Sequence, residues 1–370
     1  MSADAPDLPE PDRAPGAPHP RETLRLFGQA RAEADFLASF TTGRLHHSWL
    51  ITGPRGVGKA TLAWRIARFL LSVPEGDGLF APAAPASLDT PPDHPVTRRS
   101  VALAEPRLFL LRRGPNDKGT ALSADIRVDE ARKLKSFLQL SAVDGGRRVV
   151  IVDAADELNT QAANALLKLL EEPPAAVTFL LVAHQPARLL PTIRSRCREL
   201  RAATLGPDDM AAALAQAGVE VAAPEALAEL SGGSVGAAMR IAGLDGLDLY
   251  ARLVALMAGQ PRFDRAAALA FSDAAGGKAN DARFDLILDL FDLFLTRLAR
   301  AGAAGAPATE AAPGEAAAFA RLALDASDAR RWAEVQQELG ARARRGRAVN
   351  LDPAALVMDM VLHISAAAAA

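Results

Sequence analysis

The chain has 370 residues, is 50 % hydrophobic, carries a formal charge of −2 and contains one cysteine. Roughly two or three cored domains fit in that length, while the balance excludes the basic footprint of a dedicated nucleic-acid binder, an intrachain disulfide framework and a cysteine-cluster zinc site. No apolar run nears the roughly 20 residues of a membrane span, and the Pro-, Ala- and Asp-rich stretch 1–20 lacks a signal-sequence core, so a cytoplasmic protein with a disordered tail is expected.

Ordered structure is expected from Arg21, with Phe36, Leu37 and Phe40 at helical spacing within Gly28 to Phe40. The strand Ser48 to Thr52 runs into Gly53-Pro-Arg-Gly-Val-Gly58-Lys59-Ala60-Thr61, and a helix follows to Leu71. Strand, glycine loop, helix is the setting of a phosphate-binding loop, in which backbone N–H groups and a lysine hold phosphate oxygens. Residues 72–105 turn to Pro, Ala and Asp and read as a low-structure insertion. A strand at Arg107 to Leu111, a helix at Ile126 to Leu140, an apolar strand Arg148 to Asp153, a helix Thr160 to Glu172 stopped by Pro173-Pro174, a buried strand Thr178 to Val182, a short helix Leu189 to Ser195 and a strand at Arg198 to Leu200 follow. Alternation of this kind predicts a parallel sheet covered by helices on both faces. After Leu205 only helices are expected, interrupted by a flexible stretch at Ala301 to Pro313, with Asp352 capping and Pro353 opening the last one.

The candidate nucleotide site comprises Gly53, Gly56, Gly58, Lys59, Thr61 and Asp153. Magnesium needs Ser or Thr after the lysine, and Ala60 stands there; Thr61 comes about 100° further round the helix and points its hydroxyl elsewhere. Asp153 is placed as the strand-end acid of such a site, the alternative being a carboxylate that caps the next turn. Ala154 beside it cannot orient water. Arg196, between a short helix and a strand, reads from its residues alone either as a helix-end arginine meeting carbonyls or as a cation projected toward a neighbouring subunit. Cys197 reads as a small buried residue, and the scattered His46, His47, His94 and His184 lack metal-ligand spacing. Arg112, Arg113, Lys118, Lys133 and Lys135 are the basic residues on which a DNA-binding adaptor would rely.

In order, Gly53 to Lys59, Val149 to Asp153, Asn164-Ala-Leu-Leu-Lys-Leu-Leu-Glu-Glu-Pro-Pro174 and Ile193-Arg-Ser-Arg-Cys197 resemble the bacterial replicative clamp-loader family of DNA polymerase III, over about Arg21 to Ala242 and more loosely through the C-terminal helices. The resemblance implies an α/β P-loop AAA+ module with a parallel sheet at 21–204, a small helical lid at 205–245 and an all-α collar at 246–370. It implies assembly with gamma/tau and delta subunits in a five-subunit ring that acts on a sliding clamp and primed DNA, and it assigns Arg196 as a finger on a neighbour's ATP. Ala60 and Ala154 depart from the hydrolysing subunits of that family, as do Ala183 in place of a threonine and Gly236 in place of the lid arginine. These departures imply a non-motor subunit with no ATPase or polymerase activity of its own and a degenerate site that needs no cofactor, passive ATP or ADP binding staying open. Residues 72–105 have no cysteine for the zinc module of many relatives, so no zinc is expected. The alternatives are an ATP-hydrolysing motor subunit and the DNA-binding adaptor.

Overall fold

The computed structural model describes residues 8–14, 16–74, 85–139, 146–260, 264–276 and 281–369. The chain forms two compact units, Met1–Ala213 with Ser234–Gly236, and Leu214–Gly233 with Ala237–Ala370. The first contains α1 (Ala30–Thr41), β1 (Ser48–Thr52), α2 (Lys59–Ser72), α3 (Pro95–Val101), β2 (Leu108–Leu111), α4 (Val128–Gln139), β3 (Arg148–Asp153), α5 (Thr160–Glu171), β4 (Val177–Val182), α6 (Pro191–Arg194), β5 (Arg198–Arg201) and most of α7 (Pro207–Gln216).

The five strands form one all-parallel sheet in the order β2-β3-β4-β1-β5. Side chains alternate between its faces. Trp49, Ile51, Val149, Ile151, Leu180 and Val182 meet Leu62, Ala63, Ile66 and Leu70 of α2 on one side, and Leu50, Val150, Val152, Phe179 and Leu181 meet Leu134, Leu166 and Ile193 on the other. Each fully buried large side chain contributes roughly 1.5–3 kcal/mol, which explains the unbroken apolar runs of β3 and β4. The architecture is the α/β P-loop type, and it sets the loops after β1, β3 and β4 along one edge of the sheet, where open α/β sheets hold ligands.

The stretch 1–20 differs from the expected disordered tail. Residues 1–7 and Pro15 lie outside the described residues, but the rest forms turns, and His19 is fully buried. The cause is ionic: Glu10 and Asp12 meet Arg21 and Arg112. Within 72–105, residues 75–84 lie outside the described residues, while Leu88 and Val96 join the α2 face of the core. There the His94 side chain caps α3 by accepting from the Val96 N–H, and buried Glu105 pairs with Arg99 and Arg107. The α4 helix ends at Gln139, and the expected last residue, Leu140, lies outside the described residues.

The second unit holds α8 (Pro224–Ser231), most of α9 (Val235–Gly243), α10 (Gly246–Ala258), α11 (Arg265–Asp273), α12 (Asp281–Ala304), α13 (Glu315–Leu322), α14 (Ala326–Ala348) and α15 (Pro353–Ala369). The lid expected at 205–245 is therefore divided between the units. Phe284, Ile287, Phe291, Phe294 and Leu298 give α12 a buried stripe at helical spacing. Glu315 is fully buried: it accepts from Tyr250 Oη at 2.5 Å, from Arg297 Nε at 2.8 Å and Nη2 at 2.9 Å, and from the Ala311 N–H at 2.7 Å. These bonds order part of the stretch expected to be flexible, burying Ala311 and Ala312. The Asp352 carboxylate caps α15 by accepting from the Ala355 N–H at 2.9 Å.

Candidate functional site

The glycine loop leaves β1 and enters α2 as expected. Gly53, Gly56 and Gly58 have φ of 137°, 79° and 96°, a region in which a Cβ is strained. A Cβ on Gly53 would collide with the Ala202 carbonyl oxygen, and one on Gly56 with Ser234 Oγ. Ser234 and Gly236 close over the loop, the Gly236 N–H donating to the Gly56 carbonyl at 3.1 Å and Ser234 Oγ to the Arg55 carbonyl at 2.8 Å. Lys59 is buried, and its Nζ donates to the Gly53 carbonyl at 2.7 Å and to that of Pro54. Burial lowers its pKa to about 8 against the opposing pull of Asp153 and Asp156.

Asp153 ends β3 as expected, buried in an acidic neighbourhood. Burial, then Asp12 and Glu157, raise its pKa to about 8, with Lys59 opposing. Asp156 does not face water in the manner of a hydrolytic acid: its two oxygens accept the His184 and Gln185 N–H groups at 2.9 and 3.0 Å and tie the end of β3 to the end of β4. Glu157 pairs with Arg113 at 2.9 Å. Ala154 and Ala183 are buried methyl groups, Ala60 adds only another methyl, and Thr61 is half-buried on α2. The loop backbone fits a phosphate, but the groups that would align water or complete a magnesium shell are missing among these positions.

Two residues of this crevice were not among the site residues expected from sequence. His184, set aside there for its spacing, stands two residues past the end of β4, and burial, then Lys59 and Arg55, push its pKa down to about 4; its buried Nδ1 has no hydrogen-bond partner. Position after a strand end was the available signal for it. Asp12 comes from the N-terminal segment and had no local signal at all.

Arg196 lies elsewhere, between α6 and β5, the edge strand beyond β1. It is half-exposed, with Nη2 2.9 Å from Glu171 Oε1 and Nη1 donating to the Thr192 carbonyl at 2.9 Å. Both partners are exposed residues. Next to it Leu50, Thr52, Pro186, Pro191, Arg194, Ser195, Cys197 and Glu199 line a cavity of about 400 Å³. Burial pushes the Cys197 thiol up to about 12, which removes it as a nucleophile. Of the five basic residues of the adaptor reading, Arg112 pairs with Asp12, Arg113 with Glu157 and Lys133 with Glu130, and Lys118, Lys133 and Lys135 are exposed.

Residues 28–205 match the family model described as DNA polymerase III, delta subunit. The chain is 38 % identical to DNA polymerase III subunit delta' of Pseudomonas aeruginosa over 201 residues, 53 % of this chain and 56 % of that protein. It is 34 % identical to subunit delta' of Escherichia coli, covering 59 % of this chain and 61 % of the relative. Subunit gamma/tau of Mycobacterium tuberculosis is 31 % identical over 53 % of this chain and 31 % of its own length. The chain thus spans little more than half the length of the two delta' relatives it matches. Among the described residues no helix is long and apolar enough to cross a membrane.

Proposed function

We propose that the chain, whose residues 28–205 match the DNA polymerase III delta-subunit model and which is 34–38 % identical to two delta' subunits over little more than half their length, is the delta prime type of clamp-loader subunit: a non-motor member of a five-subunit ring with gamma/tau and delta. In this reading it helps to load the sliding clamp onto primed DNA in the cytoplasm, turns over no ATP of its own and supplies Arg196 to the ATP of a neighbour. The observation that carries the reading is the contrast between the two sites. Around Lys59 the hydrolytic positions are occupied by Ala60, Ala154 and Ala183 and the lysine faces its own loop's carbonyls. Arg196 by contrast is half-exposed at the edge-strand side of the sheet. An arginine supplied in trans neutralises transition-state charge on a transferring phosphoryl group. No nucleotide or zinc is required by this chain. The test is reconstitution with gamma/tau and delta subunits, comparing clamp loading and DNA-stimulated ATPase with wild type, with Arg196→Ala and without this chain. The isolated chain is expected to show no turnover; turnover at a motor subunit's rate would favour the motor reading instead.

A further inference from the structure

The segment carrying Glu10, Asp12 and His19 is fastened across the loop edge of the sheet. Its anchor is Arg112, which follows Leu111; because Leu111 is in register with Val152, Arg112 emerges beside Asp153. Arg112 Nη1 donates to Asp12 Oδ1 and lies 3.4 Å from Glu10 Oε1, and Arg21 Nη1 donates to the same Glu10 oxygen. The Asp12 and His19 side chains have no exposed surface, and His19 Nε2 stands 3.2 Å from Asp12 Oδ2. The His19 ring meets Trp64 of α2 edge-on at 6.1 Å between centroids. Arg68 of the same helix donates to the carbonyls of Arg21 and Thr23 at 3.0 and 3.2 Å, and Arg65 to that of Leu24 at 2.5 Å. The segment is therefore built onto the P-loop helix and the end of β2. It brings to Asp153 an additional buried carboxylate close enough to raise the Asp153 pKa.

A nucleoside polyphosphate reaching Lys59 would bring several negative charges to a crevice that already holds the Asp12 carboxylate beside Asp156 and Glu157, with Asp153 keeping its proton near neutral pH. Like charges brought together away from bulk water repel more strongly than they do in water. Asp12 also engages Arg112, a cation of the crevice rim that a phosphate would otherwise meet. We infer that the segment bearing Glu10, Asp12 and His19 is a cis-acting plug of this chain's own nucleotide crevice, such that plug and nucleoside polyphosphate exclude one another. The inference goes beyond the trans-acting role of Arg196 and stands separately from it.

The test uses full-length chain and a fluorescent mant-ADP titration in magnesium buffer. Wild type is expected to show no saturable binding below about 1 mM, and Asp12→Asn and Asp12→Ala, each of which removes the plug's carboxylate and leaves Arg112 for a phosphate, to bind at least roughly tenfold more tightly. Lys59→Ala added to either variant should remove the gained signal. Two substitutions guard against one variant failing to fold, and near-UV circular dichroism with a thermal transition identifies the folded ones. Equal affinity of wild type and a folded plug variant overturns the inference, as does a folded variant that still fails to bind. Binding that survives Lys59→Ala overturns it as well, because the nucleotide would then lie outside the crevice.

Discussion

Arg196→Ala separates function from stability. In the isolated chain Arg196 makes one ion pair with Glu171, both partners more than a third exposed, and one bond to the Thr192 carbonyl. Such a surface pair contributes about 0–1 kcal/mol and the carbonyl bond about 0.5–1.5 kcal/mol, so the variant should lose no more than about 2.5 kcal/mol. The same sum is the cost of turning the guanidinium outward. A finger acting on a γ-phosphate contributes about 10³–10⁵ in rate, or roughly 4–7 kcal/mol, so engagement exceeds the cost of release. The variant should therefore assemble normally, while ATP turnover at the one site it serves falls by about 10³ or more. Arg196→Lys should recover little, because an ammonium lacks the planar fork. The assay is single-turnover hydrolysis by the reconstituted loader with primed DNA and clamp, paired with a thermal melt of the free subunit. A DNA-stimulated rate equal to wild type in an assembled Arg196→Ala loader would remove Arg196 from the mechanism.

Asp153→Asn should change the pH dependence of stability. A carboxyl whose pKa rises from 3.8 to about 8 on folding holds a proton in the native state that the unfolded chain has released, so its contribution is full below pH 4 and is lost as pH rises toward 8. His184, lowered from 6.5 to about 4, acts oppositely up to about pH 6.5, which leaves Asp153 to dominate from there to pH 8. In urea melts across that window wild type should lose up to about 1.4 kcal/mol per pH unit relative to Asp153→Asn; parallel curves would show that Asp153 titrates normally. Glu315→Ala strips Arg297 and Tyr250 of a shared buried partner and should cost about 3–5 kcal/mol, with Glu315→Gln costing less. Denaturant unfolding followed by far-UV circular dichroism reads the loss, and one below about 1 kcal/mol would mean that water replaces the carboxylate.

Which features were legible in the sequence follows from how far each interaction reaches along the chain. The strands and α2 are encoded by apolar runs and glycines acting over a few residues, so the order of elements and the loop Gly53 to Lys59 were readable, as was the cap at Asp352. The N-terminal segment was not, because composition ranks Glu10 and Asp12 as disorder-promoting until their partner Arg112, a hundred residues away, enters. Glu315 posed the same difficulty with Tyr250, 65 residues earlier. Such contacts also set the electrostatics of the candidate site. Taken from sequence, Lys59 and Asp153 form an ordinary cation and anion of a degraded ATP site. The fold buries both, turns the lysine onto the carbonyls of Gly53 and Pro54, and adds Asp12 to the acids around Asp153. Restoring a hydroxyl with Ala60→Ser would therefore leave the crevice as acidic as before and the lysine still engaged. That substitution alone should not recover turnover, whereas loss of catalytic groups without the acidic surroundings would let it recover at least nucleotide binding.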